Sequence, residues 1–137
     1  MIMKKVQLCC IIDDDPIFVY GTKRIIKEVD FAESILVYSN GQDALDGLTK
    51  IFLAKEPLPD VIFLDLNMPI LNGWEFLNEF KNCQSERSKS ITIYIISSSV
   101  DPRDLERVKD YDQVDNYILK PITPDDLAKI LGAVVEG

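Results

Sequence analysis

No histidine occurs anywhere in this chain. Its absence removes the Ser-His and Cys-His pairs by which many nucleophilic enzymes activate their attacking group, and with them the imidazole ligands of most zinc sites. Cysteine is scarce as well: Cys9, Cys10 and Cys83 are odd in number and lack metal-site spacing. Adjacent Cys9 and Cys10 in a strand point to opposite faces. They read as two small core residues, with Cys83 a helix-end thiol, in a reducing cytoplasm. No apolar run approaches the roughly 18 residues a membrane-spanning helix needs, so no membrane insertion is expected. After Lys4 and Lys5 the apolar run is short and leads directly into Asp13, which does not make a secretory signal. The Leu8-Cys9 pair lacks the apolar region that a lipoprotein cleavage site requires. Positive charge is in deficit, 15 Lys and Arg against 23 Asp and Glu for a net charge of −8, which argues against general nucleic-acid binding. There is no Pro/Gly/Ser-rich linker, internal repeat or low-complexity tract. The 137 residues are therefore expected to form one domain over 1–137 with no output domain.

What the chain does have is a set of short apolar runs, each ending in polar chemistry. Leu8-Cys9-Cys10-Ile11-Ile12 delivers Asp13-Asp14-Asp15, and Val61-Ile62-Phe63-Leu64 delivers Asp65. Ile91-Thr92-Ile93-Tyr94-Ile95-Ile96 delivers Ser97-Ser98-Ser99, and Tyr117-Ile118-Leu119 delivers Lys120-Pro121. Continuous apolar runs of this length suit strands buried on both faces of a parallel sheet.

Strands are expected near 6–12, 34–38, 60–65, 91–97 and 115–119, alternating with helices near 16–29, 41–55, 73–82, 102–110 and 124–135. Asp15-Pro16, Asp101-Pro102 and Thr123-Pro124 each place a capping side chain ahead of a proline at the first helical position. Asn40 and Asn72 can cap the second and third helices, and Thr123 with Asp126 resembles a capping box. Gly73, Phe76, Leu77 and Phe80 keep helical spacing, as do Leu127, Ile130, Leu131 and Val134. The fourth helix has only Leu105 and Val108 among charged residues, so it should be weakly held. Residues 81–90 form the most polar connection and are expected to be a mobile loop. Five alternating units predict an α/β fold, a doubly wound five-stranded parallel sheet of order 2-1-3-4-5, flavodoxin-like.

In that order strands 1 and 3 flank the switch point, and Asp13, Asp14 and Asp65 lie side by side beyond their carboxyl ends. Magnesium takes oxygen ligands in an octahedron, commonly a few carboxylates with phosphate and water, and this cluster supplies that many. Repulsion among the acids would raise their pKa values unless a cation offset it. Asp15 reads more simply as a helix cap. Asp65 has no such reading, because Leu66-Asn67-Met68-Pro69 follows it without starting a helix. Lys120, fixed between an apolar strand and a proline, reads as a point charge for a phosphate. Ser97 is either a core-edge serine bonded to backbone or a donor to a phosphoryl oxygen.

Taken together, Asp13-Asp14, Phe63-Leu64-Asp65-Leu66-Asn67-Met68-Pro69, Asn72-Gly73, Ser97-Ser98 and Lys120-Pro121 resemble the receiver domain of bacterial two-component response regulators, of the stand-alone, chemotaxis-regulator-like kind. The resemblance spans essentially the whole chain. It implies that Asp65 accepts a phosphoryl group. Asp14 would bind Mg²⁺ directly, Asp13 through water, and Asn67 by its backbone carbonyl. Lys120 and Ser97 would contact the phosphoryl oxygens, Tyr117 would be the aromatic switch, and Asn67 and Ser99 would gate dephosphorylation. Implied partners are a sensor histidine kinase or histidine phosphotransfer protein, and a downstream target reached through helix 4, strand 5 and helix 5. The chain would then be a switch acting only on its own phosphorylation, not an enzyme. Ser at the switch position, where Thr is commoner, leaves phosphorylation intact. Asp110–Asn116 lacks the small residues frequent before strand 5, which concerns the output face.

Three other readings differ in what they require. A receiver-like interaction module that no longer takes phosphate would have lost site residues, and none is missing. An aspartyl-nucleophile phosphatase of the haloacid-dehalogenase kind would carry a second Asp where Asn67 stands. A flavodoxin would need a phosphate-cradling loop where Asp13-Asp14-Asp15 stand.

Overall fold

A computed structural model describes residues 5–68, 71–82, 91–99 and 101–136, with side chains of the last helix described to residue 133. The elements run β1 (Val6–Ile12), α1 (Pro16–Glu28), β2 (Ala32–Tyr38), α2 (Gly41–Leu53), β3 (Val61–Asp65) and α3 (Gly73–Asn82). They continue as β4 (Thr92–Ser97), α4 (Pro102–Arg107), a 3-10 turn (Val108–Asp110), β5 (Val114–Leu119) and α5 (Pro124–Glu136). The strands are parallel in the order β2-β1-β3-β4-β5, as the alternating pattern predicts. Residues 83–90, which include Cys83 and most of the expected mobile loop, lie outside the described residues, as do Pro69, Gly137 and the Val134 side chain.

The two-residue period of a strand divides the core in two. Cys10, Ile12, Ile62, Leu64, Ile93 and Ile95 face Ala44 and Leu48 of α2 and Phe76, Leu77 and Phe80 of α3. Cys9, Ile11, Val61, Phe63, Tyr94 and Ile96 face Ile26 of α1 and Leu127 and Ile130 of α5. The adjacent cysteines thus fall one in each layer, and burial pushes both thiols well upward in pKa. They are buried packing residues.

Burial on both faces holds for β1 from Cys9 onward, for β3 and for β4, but not for the run Tyr117-Ile118-Leu119 in β5. β5 is an edge strand, and Leu119 is 51% exposed. An apolar run alone does not report whether a strand has neighbours on both sides.

Helix starts follow the predicted caps. The Asp15 carboxylate accepts from the Ile17 and Phe18 N–H groups, Asn40 accepts from Asp43, and Asp101 accepts from Arg103. Asn72 with Glu75 and Thr123 with Asp126 form reciprocal boxes. Helix ends were harder to read. α1 and α2 stop earlier than their apolar patterns imply, in six-to-one and five-to-two bonded turns at Asp30 (φ 55°) and Lys55 (φ 58°). No glycine marks either stop. The fourth helix is shorter than 102–110 and gives way to the 3-10 turn at Val108, with no buried residue in either piece.

Candidate functional site

The carboxyl ends of β1, β3, β4 and β5 build the site. β1 carries the chain past Ile12, where the Asp13 N–H donates to the Tyr38 carbonyl at 3.0 Å and extends the parallel pairing with β2 by one bond. Asp13 is 1% exposed. Its Oδ1 accepts from the Asp15 N–H at 2.8 Å, and its Oδ2 lies 2.8 Å from Lys120 Nζ. That second contact is an ion pair without hydrogen-bond geometry, so a buried carboxylate oxygen is left without a hydrogen-bond partner. Asp14, next along, is exposed.

Asp65 ends β3 and is 6% exposed. The Asn67 N–H donates to its Oδ1 at 3.3 Å, and Lys120 Nζ lies 3.9 Å from its Oδ2. Gly73 lets α3 begin against this turn: a Cβ there would lie 2.6 Å from Leu66 Cα and 2.7 Å from the Asp65 carbonyl oxygen. Burial, then the negative charge of Asp13, push the Asp65 carboxyl up to about 6. The Asn67 N–H and Lys120 pull it down, and Asp14 adds a smaller upward push. Lys120 follows β5 with its N–H donating to the Ser97 carbonyl at 2.7 Å, which ties the ends of β4 and β5 together.

The structure therefore brings Asp13, Asp14, Asp65 and Lys120 into one site. Each acid offers a carboxylate oxygen within 4.8 Å of the others. A buried oxygen without a hydrogen bond, an acid pushed up in pKa and three clustered hard donors fit a small divalent cation. A cleft of about 400 Å³ runs from Asp13 and Asp14 along α1 past Tyr20, Lys23 and Lys27, so the cluster is reachable from solvent.

Ser97, at the end of β4, is buried at the edge of the site. Its hydroxyl donates to the Ser99 carbonyl at 2.7 Å, and the Ser99 N–H donates back at 3.3 Å, so here it is bonded to backbone. The Tyr117 hydroxyl donates to the same Ser99 carbonyl at 3.3 Å. Asn67 and Ser99 are both exposed. One neighbour was not legible in sequence: the Phe18 ring, whose centroid lies 4.4 Å from Lys120 Nζ. An aromatic residue in the first turn of a helix reads as core, and nothing in the sequence aims it at residue 120.

A profile of the response regulator receiver domain matches residues 9–132. The chain belongs to the response regulator receiver family. A two component response regulator from Cytophaga hutchinsonii superposes on this receiver with a TM-score of 0.89 and 32% identity, covering 97% of this chain and 99% of that one. The nitrate/nitrite response regulator protein NarL of Escherichia coli K12 is 33% identical over 128 residues, 93% of this chain and 54% of NarL. The probable methanogenesis regulatory protein FilR2 of Methanothrix harundinacea is 29% identical over 113 residues, 82% of this chain and 71% of FilR2. This receiver thus spans about half the length of NarL, and NarL's activity as a whole protein is not carried over. Among the described residues, no helix is long and apolar enough to cross a membrane.

Proposed function

We propose that this receiver is a phosphoacceptor switch in which Asp65 takes a phosphoryl group from a phosphohistidine on a sensor histidine kinase or a histidine phosphotransfer protein. The observation that carries the reading is the convergence of Asp65 with Asp13, Asp14 and Lys120 at the strand ends of the family's fold. A carboxylate oxygen of Asp65 attacks phosphorus as the bond to the imidazole nitrogen breaks, and the imidazole leaves. Asp14 and Asp65, with the Asn67 carbonyl and with Asp13 acting through water, would hold Mg²⁺. When bound, the ion supplies charge neutralisation at the phosphoryl oxygens. Lys120 supplies a fixed positive charge to the same oxygens. Water later cleaves the acyl phosphate, returning the carboxylate and inorganic phosphate, with Asn67 and Ser99 flanking its approach. The protein acts on itself and turns over no separate substrate. Asn67, with its N–H on Asp65 and an amide side chain, supplies no general acid for phosphatase chemistry.

The output runs through α4, β5 and α5 to a protein target in the cytoplasm. Ser97 and Tyr117 share the Ser99 carbonyl as acceptor. Turning Ser97 toward a phosphoryl oxygen frees that carbonyl and changes what holds Tyr117. α4 has no buried residue, so its shift costs little. Borohydride reduction of an acyl phosphate converts phosphoaspartate to homoserine. After incubation with acetyl phosphate and Mg²⁺, peptide mass spectrometry should find homoserine at position 65, and homoserine at another aspartate instead would overturn the assignment.

A further inference from the structure

We infer that Phe18 is a positioning residue for phosphoryl transfer, its ring face holding the Lys120 ammonium over the acidic cluster. The inference rests on the reading of Asp65 as phosphoacceptor. The sequence arranges the contact from both ends. Asp15 and Pro16 fix the first turn of α1, the Phe18 N–H donates to Asp15 Oδ1 at 3.4 Å, and the ring packs on the core layer beneath α1 and α5. From the other side β5 brings Lys120 in with its side chain only 17% exposed and Nζ 4.4 Å from the ring centroid.

Neither carboxylate grips this ammonium with a directed hydrogen bond. Asp13 Oδ2 forms an ion pair with it at 2.8 Å, off hydrogen-bond geometry, and Asp65 Oδ2 stands off at 3.9 Å. Both acids also belong to the cluster that suits a divalent cation, so a bound cation weakens their pull on Lys120. The ring carries no net charge, does not titrate and offers no ligand to a hard cation. Its attraction for an ammonium comes from the quadrupole of the π face and grows as the pair loses water. Phe18 is thus the partner whose hold on Lys120 persists when the acids are engaged elsewhere. It keeps the charge where a phosphoryl oxygen will arrive, so that less reorganisation is left to the reacting state.

The test compares wild type with Phe18→Leu and Phe18→Met, which fill similar volume without a π face, and with Phe18→Tyr, which keeps it. Phosphorylation by acetyl phosphate is followed over a range of donor concentrations, with Mg²⁺ affinity measured by calorimetry using the metal alone. Loss of the ring face should lower the saturated rate roughly five- to tenfold, the scale of a partly desolvated cation–π contact. Mg²⁺ affinity should change by less than about twofold, because no ligand is altered, and Phe18→Tyr should restore the rate. In parallel, the Lys120 side-chain methylene protons should show a ring-current shift in NMR spectra of wild type and Phe18→Tyr that is lost in the other two. Equal rates in all four proteins, or a Phe18→Tyr variant as slow as Phe18→Leu, would overturn the inference while leaving Asp65 in place. A wild type that takes no phosphate would overturn both.

Discussion

Replacing Asp65 with asparagine should make the metal-free protein more stable at neutral pH, although it removes the proposed phosphoacceptor. The carboxyl is pushed from 3.8 to about 6, first by burial and then by Asp13. A folded-state pKa above the unfolded value means that the native state holds the proton more tightly. The associated stability is fully present below pH 3.8 and is lost as pH rises through about 6. At pH 7.5 the ionised native acid is therefore a burden. The two-unit shift sets a ceiling of about 3 kcal/mol by linkage. The carboxylate stands at the open edge of the sheet, and discounting for solvent screening leaves about 1–2 kcal/mol. Asp65→Asn keeps the shape and removes the charge, so it should gain that amount in urea melts run in chelator at pH 7.5. The gain should fall to about half at pH 5, where the wild-type acid is mostly protonated in the fold. Adding Mg²⁺ should narrow the gap by stabilising wild type more than the variant. A variant no more stable than wild type at pH 7.5, with a difference flat in pH, would refute the view that Asp65 is held strained among like charges.

Asp14→Ala should weaken Mg²⁺ binding by at least about tenfold while shifting metal-free stability by less than about 0.5 kcal/mol, because Asp14 is an exposed acid of the cluster, the proposed direct ligand, and its removal relieves repulsion; calorimetry and melts check the two halves separately. Gly73→Ala should cost about 1–3 kcal/mol and slow phosphorylation, since its methyl group would press on the backbone that carries Asp65; a fully active variant of unchanged stability would contradict the packing described. Arg107 links α4 to α3 by stacking over Trp74, 4.2 Å from the ring centroid. Arg107→Ala should weaken that link by about 0.5–1 kcal/mol, seen as faster amide exchange across residues 102–110 with the rest of the fold unaffected.

The central strands and the site residues were legible because burial and chemistry coincide there. From Cys9 onward β1, like β3, is closed off from water on both faces, so their apolar runs are continuous, and of the acids that end them only Asp15 is used as a helix cap. Helix starts were legible because Asn40, Asn72, Asp101 and Thr123 carry their signal in the side chain. Helix ends were not, since Asp30 and Lys55 take up a left-handed backbone that glycine would have announced. The exposure of Leu119 follows from β5 lying at a sheet edge, which the apolar run does not encode. Ser97 was legible as a position but not as a state: which acceptor its hydroxyl uses depends on Ser99, brought round by the turn after β4. Contacts between distant elements, Phe18 with Lys120 and Arg107 with Trp74, leave no periodic trace at all.

The most direct test of the switch is the intact mass of the protein after incubation with acetyl phosphate. Wild type in Mg²⁺ should gain the mass of one phosphoryl group, and the gain should disappear in chelator and in Asp65→Asn. A phosphoryl-sized gain on Asp65→Asn, or an undiminished gain on wild type without metal, would contradict the account.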